Sequence, residues 1–112
     1  MNVSVLKPIA ESSNPQTGLS DEARKQVADA LHRSLEATLA LMLQTQLCHW
    51  NVVGPLFKPI HDLTEDHYNN LFGAADEIAE RIRALGYPVS IAKGPTTPAT
   101  EANRPILVQP WP

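Results

Sequence analysis

Between residues 21 and 50, Val27, Leu31, Leu35, Leu39, Met42, Gln46 and Trp50 follow one another in steps of three and four. That is the spacing of one helical face. Ser20 stands where an N-cap would, and Asp21 and Glu22 fall in the first turn, at the positive end of the helix dipole. The pattern predicts a helix over about 21–50. A second stripe, Ile60, Leu63, Leu71, Ala75, Ile78, Ile82 and Leu85, predicts another over about 58–85. Gly54-Pro55 separates the two, and Pro59 fits the second helix's first turn, where no backbone N–H is needed. Gly86 suits the position just past its end, and Pro88 prevents continuation. Two long helices joined by a short turn make an all-α antiparallel hairpin. Such a hairpin cannot bury both helices by itself, so it needs partners.

Outside this hairpin the pattern fails. Residues 1–19 carry Pro8, Pro15, Gly18 and several Ser and Asn without periodicity, and read as an irregular N-terminal tail. Six of the ten prolines lie in residues 88–112, so 87–112 reads as a Pro-rich irregular tail. The expected organisation is therefore 1–19, 20–86 and 87–112, with room for one small domain in 112 residues. A net charge of −3 argues against a general polyanion binder, and the tails contribute only Lys7, Lys93 and Arg104 as cations, so DNA binding gets little support. Cys48 is the single cysteine and no hydrophobic signal segment opens the chain, which points to a cytoplasmic protein. The run from Ala37 to Phe57 has no Asp, Glu, Lys or Arg. Its Gln, Thr, His and Asn residues and the Gly-Pro break exclude a membrane span, leaving a helix buried on more than one face.

The chemistry lies on the second helix. His61, Glu65, Asp76 and Glu80 share a face rotated by roughly 140° from the apolar stripe, with Tyr68 and Phe72 in the arc between. His61 and Asp76 are fifteen residues apart, about 22 Å along a straight helix, so one chain cannot bring both to one metal ion. Two copies crossing antiparallel about a two-fold axis near Asn69 and Asn70 would bring His61 of one chain to Asp76 and Glu80 of the other, giving two equivalent sites. His49 can join from the end of the first helix. A mixed imidazole and carboxylate set suits Fe(II), Zn(II) or Mn(II). The Glu-x-x-His pair of ordinary ferritin bundles is absent.

The block His49-Trp50-Asn51-Val52, then Gly54-Pro55, Phe57 and His61, followed by Asp76 and Glu80-Arg81, resembles the Dps family of ferritin-like proteins over roughly residues 20–86. The resemblance implies a ferritin-like fold, of which this hairpin would be the first half of a four-helix bundle. It also implies ferroxidase chemistry in iron storage and peroxide defence, with Fe(II) bound by His49 and His61 of one subunit and Asp76 and Glu80 of its two-fold mate, and Glu65 as a further ligand. In the family the subunits form a dodecamer, and Trp50 lies beside the site. The second helix pair of that family is not recognisable here, so the chain reads as a truncated form. The alternative function is a helical-hairpin interaction module that oligomerises and turns over nothing.

Other residues carry blander expectations. Glu77 and Arg81 read as a solvated i,i+4 pair worth a few tenths of a kcal/mol. His67 reads as a packing histidine on the apolar stripe and His32 as a surface residue. Cys48 reads as a small buried side chain, and Trp50 first as a core aromatic.

Overall fold

The computed structural model describes residues 11–91, with the expectations for residues 1–10 and 92–112 lying outside them. Among the described residues two α-helices form and no strand: α1 spans Asp21–Asn51 and α2 spans Phe57–Ala84. They pack as an antiparallel hairpin, the arrangement of half a four-helix bundle. The helices begin and end within a residue of where periodicity and turn chemistry place them.

The caps follow from local sequence. Ser20 Oγ accepts from the Ala23 N–H at 3.1 Å, satisfying one of the donors a helix start leaves unpaired. At the far end Gly86 has φ +92°. Its N–H donates to Arg83 O at 2.9 Å and the Tyr87 N–H donates to Ile82 O at 3.3 Å, the two bonds of a Schellman termination. No side chain caps α2 at Leu56. The turn tightens there instead, with Gly54 at φ 99° and the Phe57 N–H donating to Gly54 O at 3.0 Å.

Inward positions repeat every seven residues. Ala28, Leu35 and His49 are buried on α1; Thr64 is buried on α2 in register with half-buried Leu71 and Ile78, and buried Ala75 and Ile82 accompany half-buried Tyr68. A seven-residue repeat keeps the seam between two helices in register. Leu35, Ala75 and Ile82 form the core, flanked by Leu31, Leu39, Ile78, Ala79 and Tyr87. Ile82 is 0% exposed, so Ile82→Val should lower the stability read from a urea midpoint by about 1 kcal/mol. A change indistinguishable from zero would mean this seam does not hold the hairpin.

Burial departs from the sequence expectation at several places. Val27 and Leu63 lie on the outer flanks, exposed. Trp50, expected in the core, is 64% exposed. Steps of three and four drift around a straight helix over thirty residues, so the ends of a stripe leave the seam that its middle occupies. His67 is exposed rather than packed. His32 is half-buried rather than on the surface, with Nδ1 2.9 Å from Ala28 O and Nε2 accepting from the Ser90 N–H at 3.4 Å. Cys48 is buried as expected, and burial raises its thiol pKa above the ordinary value. None of the described helices is long and apolar enough to cross a membrane.

The segment before α1 is irregular but anchored. The Ser13 N–H donates to Gly86 O at 2.7 Å. The Arg24 guanidinium, buried although charged, donates through Nη1 to Ser13 O and to Leu85 O, both at 2.9 Å. It lies over the Tyr87 ring, 5.2 Å from the centroid. Arg24 thus places positive charge at the C-terminal end of α2, where the helix dipole favours it.

Candidate metal centre

At the other end of the hairpin, the last turn of α1 and the first turns of α2 present His49 and His61 to one another. Val52, buried and bonded through its N–H to Cys48 O at 2.9 Å, turns the chain sharply enough to return it alongside itself. The two imidazoles stack with centroids 3.7 Å apart and planes 19° from parallel. Their hydrogen bonds are crossed: His49 Nδ1 donates to His61 O at 2.8 Å, and His61 Nδ1 donates to His49 O at 2.9 Å. A carbonyl oxygen can only accept, so each neutral ring must carry its proton on Nδ1. Each Nε2 therefore keeps its lone pair, the form in which imidazole binds a metal.

Aromatic neighbours hold this pair. Phe57 stacks on His61 with centroids 4.9 Å apart, and Tyr68 meets His49 edge-on at 5.2 Å. His49 is buried, 8% exposed, while His61 is half-buried. Thr64 is also buried, and its Oγ1 lies 3.3 Å from His49 Nδ1. Asp62, next along α2, is turned aside: a 2.6 Å hydrogen bond from Lys58 Nζ is the main cause holding its carboxyl below the usual range.

The carboxylates expected to join the histidines lie elsewhere. Glu65 is exposed one turn beyond His61; Asp76 and Glu80 are exposed four to five turns along α2. Glu77, Glu80, Arg81 and Ala84 line a shallow polar groove. Among the described residues no group of three or more His, Cys, Asp or Glu side chains of one chain is gathered for metal binding. One chain thus brings His49 to His61 and leaves Asp76 about 22 Å and Glu80 about 28 Å from His61 along the same helix by rise. Between the two groups Phe72 stands 67% exposed.

Sequence reasoning missed two residues that organise the molecule, Thr64 and Arg24. Thr64 stands in the seven-residue repeat, and buried Arg24 lies one turn before Ala28 and seven residues before Leu31. A polar residue in that register was the available signal.

The family model described as a ferritin-like domain matches residues 28–106. An uncharacterized low temperature-induced protein of Nostoc sp. is 44% identical over 78 residues, 69% of this chain and 44% of that protein. The DNA protection during starvation protein of Mycolicibacterium smegmatis is 44% identical over 69 residues, 62% of this chain and 38% of its own length. Among solved structures, Mycobacterium smegmatis Dps superposes with a TM-score of 0.68 at 38% identity, covering 76% of this chain and 48% of that one. Fold and family model together define a ferritin-like helical protein. Within that class, the chain belongs to the Dps family. It spans less than half the length of the curated relatives it matches.

Proposed function

We propose that this chain is a Dps-type iron-oxidising and iron-storing subunit, acting in the cytoplasm, that binds Fe(II) as substrate between two copies of itself. His49 and His61 of one chain supply two imidazole nitrogens. Asp76 and Glu80 of a second chain supply carboxylate oxygens, and Glu65 stands one turn from His61 as a further oxygen donor. The observation that carries this reading is the crossed histidine pair, two imidazoles fixed with both Nε2 lone pairs available at one end of a face whose other end holds the carboxylates. Nitrogen and carboxylate donors of this kind suit Fe(II), and carboxylates favour the Fe(III) product through charge. Each Fe(II) gives up one electron. A peroxide accepting two of them, with two protons, breaks its O–O bond and leaves as two waters. The chain's own contribution would be to hold the two imidazoles that bind the ion, with Phe57 stacked on His61 and Tyr68 edge-on to His49.

Family membership supports the iron chemistry in general, and the exposure of Phe72, Asp76 and Glu80 supports a second copy as the source of the missing ligands. The test is Fe(II) titration under anaerobic conditions. His61→Ala and Asp76→Ala should each abolish binding, leaving helix content and assembly mostly intact. Unchanged iron binding and oxidation in both variants would sink the proposal. Assembly without iron uptake in the unmodified protein would instead establish an interaction module.

A further inference from the structure

The His49 ring is held by more than its partner's backbone. Its Nδ1–H points to His61 O at 2.8 Å, and Thr64 Oγ1 lies within 3.3 Å of the same nitrogen. Thr64 has a single hydroxyl proton, and the oxygen sits 2.7 Å from Ile60 O and 3.0 Å from His61 O. That proton therefore goes to a carbonyl, with Ile60 O the nearer. The hydroxyl lone pairs are what remains to face His49, and they can only accept. Because Nδ1 must carry the proton for the His61 carbonyl, hydroxyl and carbonyl share one N–H donor. Thr64 is buried, 4% exposed, so water does not compete for these bonds.

We infer that Thr64 is a positioning residue: its hydroxyl, anchored on the α2 carbonyls, is a second acceptor for the His49 Nδ1–H, reinforcing the tautomer that His61 O selects and setting the plane of the ring before any ion arrives. Resting on the metal-site reading, the inference deepens it by naming what orients the ligand. The physical need is specific. A neutral imidazole with its proton on Nε2 has no lone pair there to give a metal. The crossed bonds to His61 O and His49 O tie each ring to the other helix, so drift of either helix would loosen both. Thr64 presents the His49 ring with a second acceptor from α2's first turns, beside His61 O. Partners of this kind on metal-binding histidines typically contribute about 10–100-fold in affinity.

The experiment uses the full chain and two readouts. The first is the ¹⁵N NMR signature of the His49 ring in the metal-free protein, at a pH where the rings are neutral, which distinguishes Nδ1–H from Nε2–H. The second is Co(II) affinity, followed by its absorption spectrum. Thr64→Val keeps the branched shape and removes the hydroxyl; it should give a mixed tautomer signal and weaken Co(II) binding about 10-fold. Thr64→Ser should restore both. If the valine variant fails to fold, Thr64→Ser compared with Thr64→Ala isolates the same hydroxyl. Wild-type ring spectra in the variant lacking the hydroxyl would overturn the inference, whatever its affinity. A tautomer signal lost with the hydroxyl and regained with serine supports it. If that occurs in a protein that binds no Co(II), the positioning role stands and the metal-site reading falls.

Discussion

Equal amounts of a His61→Ala chain and an Asp76→Ala chain, each unable to bind Fe(II) alone, should regain about a quarter of the wild-type sites when unfolded together and refolded. Two-fold symmetry dictates the number. Each two-fold pair holds two sites, and each site takes histidines from one chain and carboxylates from the other. In a mixed pair, one site receives both altered residues and is lost. The other receives the intact His61 of the Asp76→Ala chain and the intact Asp76 of the His61→Ala chain. Random pairing makes half the pairs mixed, and half of their sites are whole. The expected readout is Fe(II) bound per chain, measured anaerobically for the separate variants and for the mixture. A mixture as inactive as its components would mean that both residues act within one chain, or that the loss came from misfolding; circular dichroism of each variant separates these. The prediction draws on the distance along α2, since a continuous helix keeps His61 and Asp76 apart in every chain.

Gly86→Ala should destabilise the hairpin by about 3 kcal/mol or more, read as a lowered urea midpoint. Gly86 sits at φ +92°, where an added Cβ would lie 2.5 Å from Pro15 Cδ and 2.8 Å from Arg24 Nη1, and against the Ser13 carbonyl oxygen. The left-handed backbone alone costs an L-residue about 1–2 kcal/mol. Relief of the contacts must push Ser13 or Arg24 away. That breaks the Ser13 N–H bond to Gly86 O and at least one of Arg24's bonds to Ser13 O and Leu85 O, and bonds to a charged group contribute about 1.5–3 kcal/mol each. Displacing the guanidinium would leave the half-buried Leu85 carbonyl without that donor at the end of α2. The control is Gly73→Ala, in the middle of α2 with nothing within 4 Å of the added carbon. It should be neutral or stabilising by about 0.5–1 kcal/mol. Equal midpoint shifts in the two variants would show that the knot around Arg24 contributes nothing.

Much of the candidate site was legible before the structure, but unevenly. His49 and His61 stood out because ionisable side chains took the place of apolar ones near a predicted turn, and the turn brings them into ring contact. The separation of His61 from Asp76 followed from helical rise alone. Trp50 was misjudged because steps of three and four drift around a straight helix, which turns the last position of the stripe off the seam that its middle occupies. His67, counted on the apolar stripe, is exposed as well. Thr64 and Arg24 escaped because polar residues on an inward register are legible as anomalies, whereas their partners are not. Arg24 bonds to Leu85, sixty-one positions away, and no local pattern encodes that distance.

The sequence by itself determined the two helices, their caps, the turn between them and the spacing of histidines and carboxylates along α2. These depend on contacts three to five residues apart, on which residues accept positive φ, and on a fixed rise per residue. Tertiary structure alone decided that the two imidazoles exchange hydrogen bonds with each other's backbone, that Thr64 backs one of them, and that Arg24 ties the segment before α1 to the end of α2. Those depend on the crossing and register of two helices, where a shift of about 1.5 Å, one residue's rise, would exchange every pairing across the seam.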